Sequence, residues 1–172
     1  VMADLMTVKE HKGRLAGLKL AYVGDGNNMC NSLLIGCAKV GMDIAVASPE
    51  GYLPQEWIVR EAQAVAAQSG SRVHITTDPV EAVTGADVVV TDVWASMGQE
   101  AEREQRIAVF TSYQVDRKLT SHAKPDYIFM HCLPTNRGQE VTAEIIDGPH
   151  SVVWDEAENR LHAQKAVLAA LL

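Results

Sequence analysis

Short apolar runs alternate along this chain with stretches in which apolar residues recur every three or four positions. LKLAYVG (18–24), DIAVAS (43–48), RVHITT (72–77), ADVVVTDV (86–93) and YIFMHC (127–132) are short and rich in β-branched or aromatic residues. They predict five strands, and SVVWDE (151–156) predicts a short sixth. Between them, NNMCNSLLIGCAKVG (27–41) sets Cys30, Leu33, Leu34 and Cys37 at the i, i+3, i+4, i+7 spacing of a core-facing helix that ends at Gly41. PQEWIVREAQAVAAQSG (54–70) predicts a second helix, with Pro54 at its start and Gly70 just past its end. DPVEAVTG (78–85) predicts a short helix capped by Asp78, a helical segment falls within 99–120, and a helix over 155–172 closes the chain.

Continuous apolar strands separated by helices are the mark of a parallel sheet covered on both faces. Right-handed crossovers then give an α/β fold: a doubly wound, mainly parallel sheet between two helical layers, Rossmann-like in its three-layer arrangement. No repeat, low-complexity tract or linker interrupts it, so 1–172 reads as a single domain. In such sheets ligands sit beyond the carboxyl ends of the strands, which is where chemistry is to be sought.

Composition narrows the partners. The 172 residues are 47% hydrophobic and 22% charged, ordinary for one domain with a sizeable core. A net charge of −7 leaves no basic footprint for nucleic acid. The cluster KEHKGR (9–14) reads as a solvated helix end. No run approaches the roughly 20 apolar residues that span a bilayer, so no membrane partner is expected. The opening VMADLMTVKE carries early acids and does not read as a signal peptide. Cys30, Cys37 and Cys132 are an odd count without CxxC spacing. On one helix Cys30 and Cys37 stand about 10 Å apart, too far for a disulfide, and a reducing cytoplasm is the expected compartment.

Four strand ends carry candidate chemistry. GDGNNMCNS (24–32) has Met29 where a dinucleotide fingerprint needs its third glycine, and SPEG after the second strand offers no clear ribose-binding acid. A nicotinamide is therefore disfavoured and no cofactor is expected. Asn27 or Asn28 beside the helix N-terminus can hold a carboxylate, with one of the two serving as a cap. In TDVWASMGQE (91–100), Asp92 can bind or deprotonate an ammonium while the Ser96, Met97, Gly98 loop grips a carboxylate. Together they suit a small zwitterionic amino acid, and the alternative is an Asx turn followed by a surface loop.

In HCLP, neighbouring side chains on a strand point to opposite faces, so His131 and Cys132 make a poor metal pair and a poor base–nucleophile pair. No metal site is expected. The Cys132 thiol and a Leu133 carbonyl held by Pro134 can meet an amine; the alternative is a buried small hydrophobe beside a satisfied histidine. In DEAENR, Asp155, Glu156 and Glu158 suit the positive end of a helix, and Arg160 is either an anion contact or a solvated surface residue. His11, His74, His122, His150 and His162 show no pairing in sequence, and Trp57, Trp94 and Trp154 read as packing anchors.

GDGNN, DVWASMG, HCLP and DEAENR, in this order on an α/β chain, resemble the carboxyl-terminal, ornithine-binding half of the ornithine carbamoyltransferases. The resemblance implies transfer of a carbamoyl group from carbamoyl phosphate to the δ-amine of ornithine, giving citrulline and phosphate for arginine biosynthesis. It implies that Asn28, Asp92, Ser96 and Met97 hold the α-amino and α-carboxylate end of ornithine. Cys132 and the Leu133 carbonyl would meet the δ-amine, and Arg160 would contact carbamoyl phosphate. Asp92, Cys132 and Arg160 are thus the expected catalytic residues. Residues 1–14 resemble an interdomain helix, and the family's Ser-Thr-Arg-Thr and His-Pro-x-Gln elements are not in the sequence. The carbamoyl-phosphate domain is therefore expected to be missing, the isolated chain inactive or nearly so, and the parent enzyme a homotrimer. The closing VLAALL is expected to be exposed without that domain. A carbamoyltransferase for putrescine or acetylornithine, or a non-catalytic amino-acid-binding module, are the alternatives.

Overall fold

The computed structural model describes residues 1–95 and 102–172. Five strands, β1 (Lys19–Val23), β2 (Asp43–Ala47), β3 (Val73–Thr76), β4 (Val88–Thr91) and β5 (Ile128–His131), form one sheet in the order β3-β2-β1-β4-β5. Every pairing is parallel, from Val23 beside Ala47 to Thr91 beside His131. The order reverses between β1 and β4, so a crevice opens there at the carboxyl ends.

Side-chain alternation divides the interior in two. Leu20, Tyr22, Ile44, Val46, Val88, Val90, Ile128 and Met130 face α1 (Met2–Lys12), α2 (Asn28–Lys39) and α3 (Glu56–Ser69). Ala21, Val23, Ala45, Ala47, Val89 and Phe129 face α4 (Pro79–Val83), α5 (Arg103–Phe110), α6 (Arg117–Thr120) and α7 (Ala143–Ile146). The expected stripe of α2 is fully buried at Cys30, Leu33, Leu34 and Cys37. At about 2 kcal/mol for each buried leucine, that face is sufficient to dock the helix.

The element ends follow local chemistry, with exceptions. Asp78 caps α4, accepting from Val80 N at 2.8 Å, and Gly70 takes the left-handed conformation after α3 at φ 81°. Pro54 precedes the first helical turn of α3, because Gln55 is the N-cap residue. The helical segment expected within 99–120 is broken. A 3-10 turn at Thr111–Tyr113 follows α5, and Asp116 then starts α6 by accepting from Leu119 N at 2.8 Å. SVVWDE does not form a sixth strand. Ser151 makes one parallel bridge to Phe129, after which α8 (Val153–Leu171) begins two residues earlier than expected. Val152 and Val153 are buried as the apolar pattern requires, but at a helix start. No described helix is long and apolar enough to cross a membrane.

Only one tryptophan anchors the core. Trp94 is 3% exposed and stacks on Phe110 at 5.9 Å, whereas Trp57 and Trp154 are 63% and 68% exposed on helix surfaces. The exposed leucines Leu168, Leu171 and Leu172 match the expectation for the end of α8.

α1 and α8 lie side by side along a polar seam that joins the two ends of the chain. Asn159 donates to Thr7 Oγ1 at 2.9 Å and to Glu10 at 2.7 Å, and His11 Nε2 lies 2.7 Å from Asp155. Four histidines thus have partners that sequence did not reveal: His11, His74 at 3.1 Å from Glu81, His150, whose Nδ1 meets the Tyr127 carbonyl at 2.8 Å, and His162, 3.6 Å from Glu158. Lys12 likewise bonds Asp126 at 3.0 Å, so the basic cluster is not merely a solvated end.

Glu156, 2% exposed, also lies in the seam and accepts from the His131 N–H at 2.9 Å. Burial, and after it the nearby Asp4 carboxylate, push its carboxyl well above the usual range. In the unfolded chain Glu156 ionises near pH 4.3, so above that pH the folded state holds the extra proton. This contribution to stability is therefore complete below the ordinary carboxyl range and declines as pH rises. Glu156→Gln keeps an acceptor for His131 N–H and removes the charge. It is expected to raise stability by about 1–2 kcal/mol at pH 8 and little at pH 5, measured as urea midpoints. An equal change at both pH values would contradict this account.

Candidate functional site

The loops that leave β1, β4 and β5 meet at the switch point of the sheet. After β1, Asn27 caps α2, its Oδ1 accepting from Met29 N at 3.0 Å and Cys30 N at 3.3 Å. Its Nδ2 donates to Asp92 Oδ2 at 2.9 Å. Asp92, 7% exposed just beyond β4, accepts through Oδ1 from Val93 N at 2.8 Å and from the Cys132 thiol at 3.2 Å. Two segments 40 residues apart thus share one carboxylate.

Cys132 is half-buried, whereas Cys30 and Cys37 are buried, and none of the three is in a disulfide. Burial, then the Asp92 charge, push the Cys132 thiol far up, so it is a neutral S–H donor and not a thiolate. The same physics argues against a covalent cysteine.

His131 and Cys132 do not diverge as expected. β5 ends at His131, so strand alternation stops before Cys132, and ligand atoms of Asp92, His131 and Cys132 lie within 4.8 Å of one another. His131 is nevertheless poorly suited to hold a metal. Its Nδ1 accepts from Leu133 N at 2.9 Å, which leaves the proton on Nε2, and Nε2 stands 3.4 Å from Glu140 Oε1. Glu140 is fully buried and also accepts from Thr135 Oγ1 at 2.8 Å. Burial opposes its anion, but the facing His131 and the donors from Asn136 and Thr135 outweigh it and hold the carboxyl below its usual range. The signal sequence reasoning missed was a polar residue nine positions after His131 that no local pattern required.

Leu133 takes a left-handed backbone at φ 54° and precedes a cis peptide to Pro134. A leucine there costs about 1–2 kcal/mol, which the His131 hydrogen bond to its N–H helps to hold.

A second unforeseen group holds Trp94, just beyond β4. Arg106 on α5 donates to Asp25 Oδ2 at 2.7 Å, to the Trp94 carbonyl at 3.0 Å and to Glu102 at 3.1 Å, and lies 5.0 Å over the Tyr52 ring. Burial pushes the Asp25 carboxyl up, and Arg106 offsets part of that.

Asn28, Asp92, Cys132, Leu133 and Arg160 line one open cavity of about 1080 Å³, bounded also by the starts of α1 and the outer turns of α8. Asn28 and Arg160 are exposed in it. Ser96 and Met97 lie outside the described residues. The cavity thus combines a buried carboxylate, an uncharged thiol, an amide and a guanidinium.

Residues 16–171 match the model of the aspartate/ornithine carbamoyltransferase Asp/Orn-binding domain. The chain belongs to that family. Among its relatives, the ornithine carbamoyltransferase of Carboxydothermus hydrogenoformans is 66% identical over the whole chain, which covers 55% of that protein. That of Bacillus subtilis is 60% identical over 99% of the chain and 54% of the relative. The solved structure of the Pyrococcus furiosus ornithine carbamoyltransferase superposes with a TM-score of 0.93 at 59% identity, covering 97% of this chain and 53% of that one. The chain spans about half the length of the curated relatives it matches. As an aspartate/ornithine carbamoyltransferase family domain, it carries the five-strand parallel sheet of those structures with the cavity at its switch point.

Proposed function

We propose that this chain is the ornithine-binding part of an ornithine carbamoyltransferase. The observation that carries the proposal is the convergence of Asp92, Cys132, Asn28 and Arg160 on one cavity. Asp92 meets the α-ammonium of ornithine, and Asn28 with the Ser96–Met97 segment meets the α-carboxylate. The Leu133 carbonyl and the Cys132 sulfur accept from the δ-amine and aim its lone pair.

The reaction is attack of the neutral δ-amine on the carbamoyl carbon, through a tetrahedral species that expels phosphate. An alkyl ammonium with a solution pKa near 10.4 must first lose a proton. Because the Cys132 thiol is itself protonated, its role is orientation, and the δ-amine reacts in its neutral form after giving that proton to solvent. Arg160 stabilises charge that develops on the carbamoyl oxygen.

Most contacts to the phosphate belong to a second domain in this reading, and the chain alone has no useful transferase activity. Val167 and Leu168 at the end of α8 border the cavity and fit closure by that domain, with α1 leading into it. The parent enzyme is then a homotrimer of the cytoplasm.

Calorimetry on the chain tests the proposal. Ornithine is expected to bind, and putrescine, which lacks the α-carboxylate and α-amine, and acetylornithine, whose α-amine is blocked, are not. Asp92→Asn is expected to weaken ornithine binding by about 10- to 100-fold, the loss of a hydrogen bond between charged groups. Putrescine bound as tightly as ornithine, or indifference to Asp92→Asn, would overturn it.

A further inference from the structure

We infer that Asn27 is a positioning residue for Asp92, and that its amide sets how the cavity grips the ammonium group of its amino-acid substrate. The substrate part of this inference rests on the ornithine reading above.

Asn27 performs two tasks with the two ends of one amide. Its oxygen is the cap of α2, fixed by the N–H groups of Met29 and Cys30 at 3.0 and 3.3 Å, with the buried Tyr22 hydroxyl at 3.4 Å. Those donors settle the amide orientation: the oxygen faces the helix, so the nitrogen faces Asp92. A helix cap by itself requires only an oxygen, and aspartate or serine serves as well as asparagine. The donor on the other end is what only asparagine adds.

That donor has a particular target. Asp92 receives Val93 N and the Cys132 thiol on Oδ1, and the hydrogen bond from Asn27 on Oδ2. Among the described residues Asn27 is the partner of Oδ2, so its Nδ2 stops the carboxylate from rotating about its own axis. Among the described residues one lone pair of Oδ2 is used, by Asn27, and the other is open to a ligand donor. Because Asn27 is itself tied to α2, the carboxylate at the end of β4 is held in register with the helix that begins at Asn28. An ammonium on Asp92 and a carboxylate at Asn28 are then kept a fixed distance apart. The geometry makes Asn27 the link between the two ends of a zwitterion.

Two substitutions separate the cap from the link. Asn27→Ser keeps an oxygen for α2 and removes the donor. Asn27→Asp keeps the cap and sets a second carboxylate against Asp92, and two such groups at hydrogen-bond distance share a proton. Thermal melts of both variants are expected to stay close to that of the parent chain. Ornithine binding by Asn27→Ser is expected to fall about tenfold, the value of one charged-group hydrogen bond. In Asn27→Asp the affinity is expected to rise with pH between 5 and 7.5 as the shared proton leaves, a dependence missing from the parent chain and from Asn27→Ser.

A second readout needs no ornithine. Cys132 is the half-buried cysteine while Cys30 and Cys37 are buried, so iodoacetamide reports on Cys132. Asp92 opposes its ionisation. Asp92→Asn is expected to speed alkylation several-fold, and Asn27→Ser to speed it part of the way by releasing the carboxylate. If the parent chain binds no ornithine, the ornithine reading fails while the alkylation arm still decides the role of Asn27. Unchanged alkylation in Asn27→Ser, when Asp92→Asn speeds it, would overturn the inference. So would ornithine affinity in Asn27→Ser equal to that of the parent chain.

Discussion

Arg106→Met is expected to destabilise the chain by about 3–5 kcal/mol. Methionine replaces most of the arginine stem, so the loss comes from charge and hydrogen bonding and not from a cavity. Arg106 is 7% exposed and Asp25 is 8% exposed, and without the guanidinium Asp25 is a buried carboxylate that has lost its partner cation. The Trp94 carbonyl loses a donor as well.

The sign of the pH dependence follows from Asp25. Burial already raises its carboxyl against the pull of Arg106, and the variant removes that pull. Its folded-state titration then lies further above the unfolded one, so stability is retained in acid and lost as pH rises. Urea midpoints at pH 5 and pH 8 should diverge, with the deficit larger at pH 8. Adding Asp25→Asn to Arg106→Met should recover part of the loss, since an uncharged amide is cheaper to bury than a lone carboxylate. A single variant as stable as the parent at pH 8 would show that the pair contributes nothing.

Gly26→Ala is expected to cost about 1–3 kcal/mol and, in addition, to weaken ornithine binding by more than tenfold. A Cβ on Gly26 would fall 2.2 Å from Pro54 N and 2.4 Å from the Leu53 carbonyl carbon. Both are backbone atoms, so relief requires movement of one loop past the other. The same glycine donates its N–H to the Tyr52 carbonyl at 2.8 Å, which pins the two loops together. The residue displaced with it is Asn27, and with Asn27 goes the hold on Asp92. Chemical denaturation gives the first effect and calorimetry the second. Loss of stability with undiminished ornithine affinity would detach Gly26 from the site.

Gly26 shows what a sequence reveals and what it conceals. GDGNN drew attention as an incomplete dinucleotide fingerprint, whereas the second glycine is there because the Leu53–Pro54 backbone crosses over it. The strands were legible because both faces of a parallel sheet are buried, which writes continuous apolar runs such as ADVVVTDV into the chain. The α2 stripe and the Asp78 cap were legible because their causes lie within four residues. Arg106 with Asp25, His131 with Glu140, and His11 with Asp155 were not, because each depends on a partner that only the folded chain brings near. Three-letter proximity misled at His131–Cys132, where alternation was extended one residue past the end of β5. The tryptophans misled differently: size argued for burial, and Trp57 and Trp154 sit on outward helix faces.

The seam between α1 and α8 makes the two ends of this molecule a single cooperative element. Thr7, Glu10 and His11 find their partners in Asn159 and Asp155, some 144–152 residues away. Neither helix can fray alone, since detaching one strips the other of these side-chain hydrogen bonds and uncovers Glu156 on the inner face of α8. Through the bond from His131 N–H to Glu156, that shared detachment also reaches the loop that carries Cys132. The first and last helices of the chain therefore act as a clasp beside the cavity, and an event that separates them is felt at the thiol.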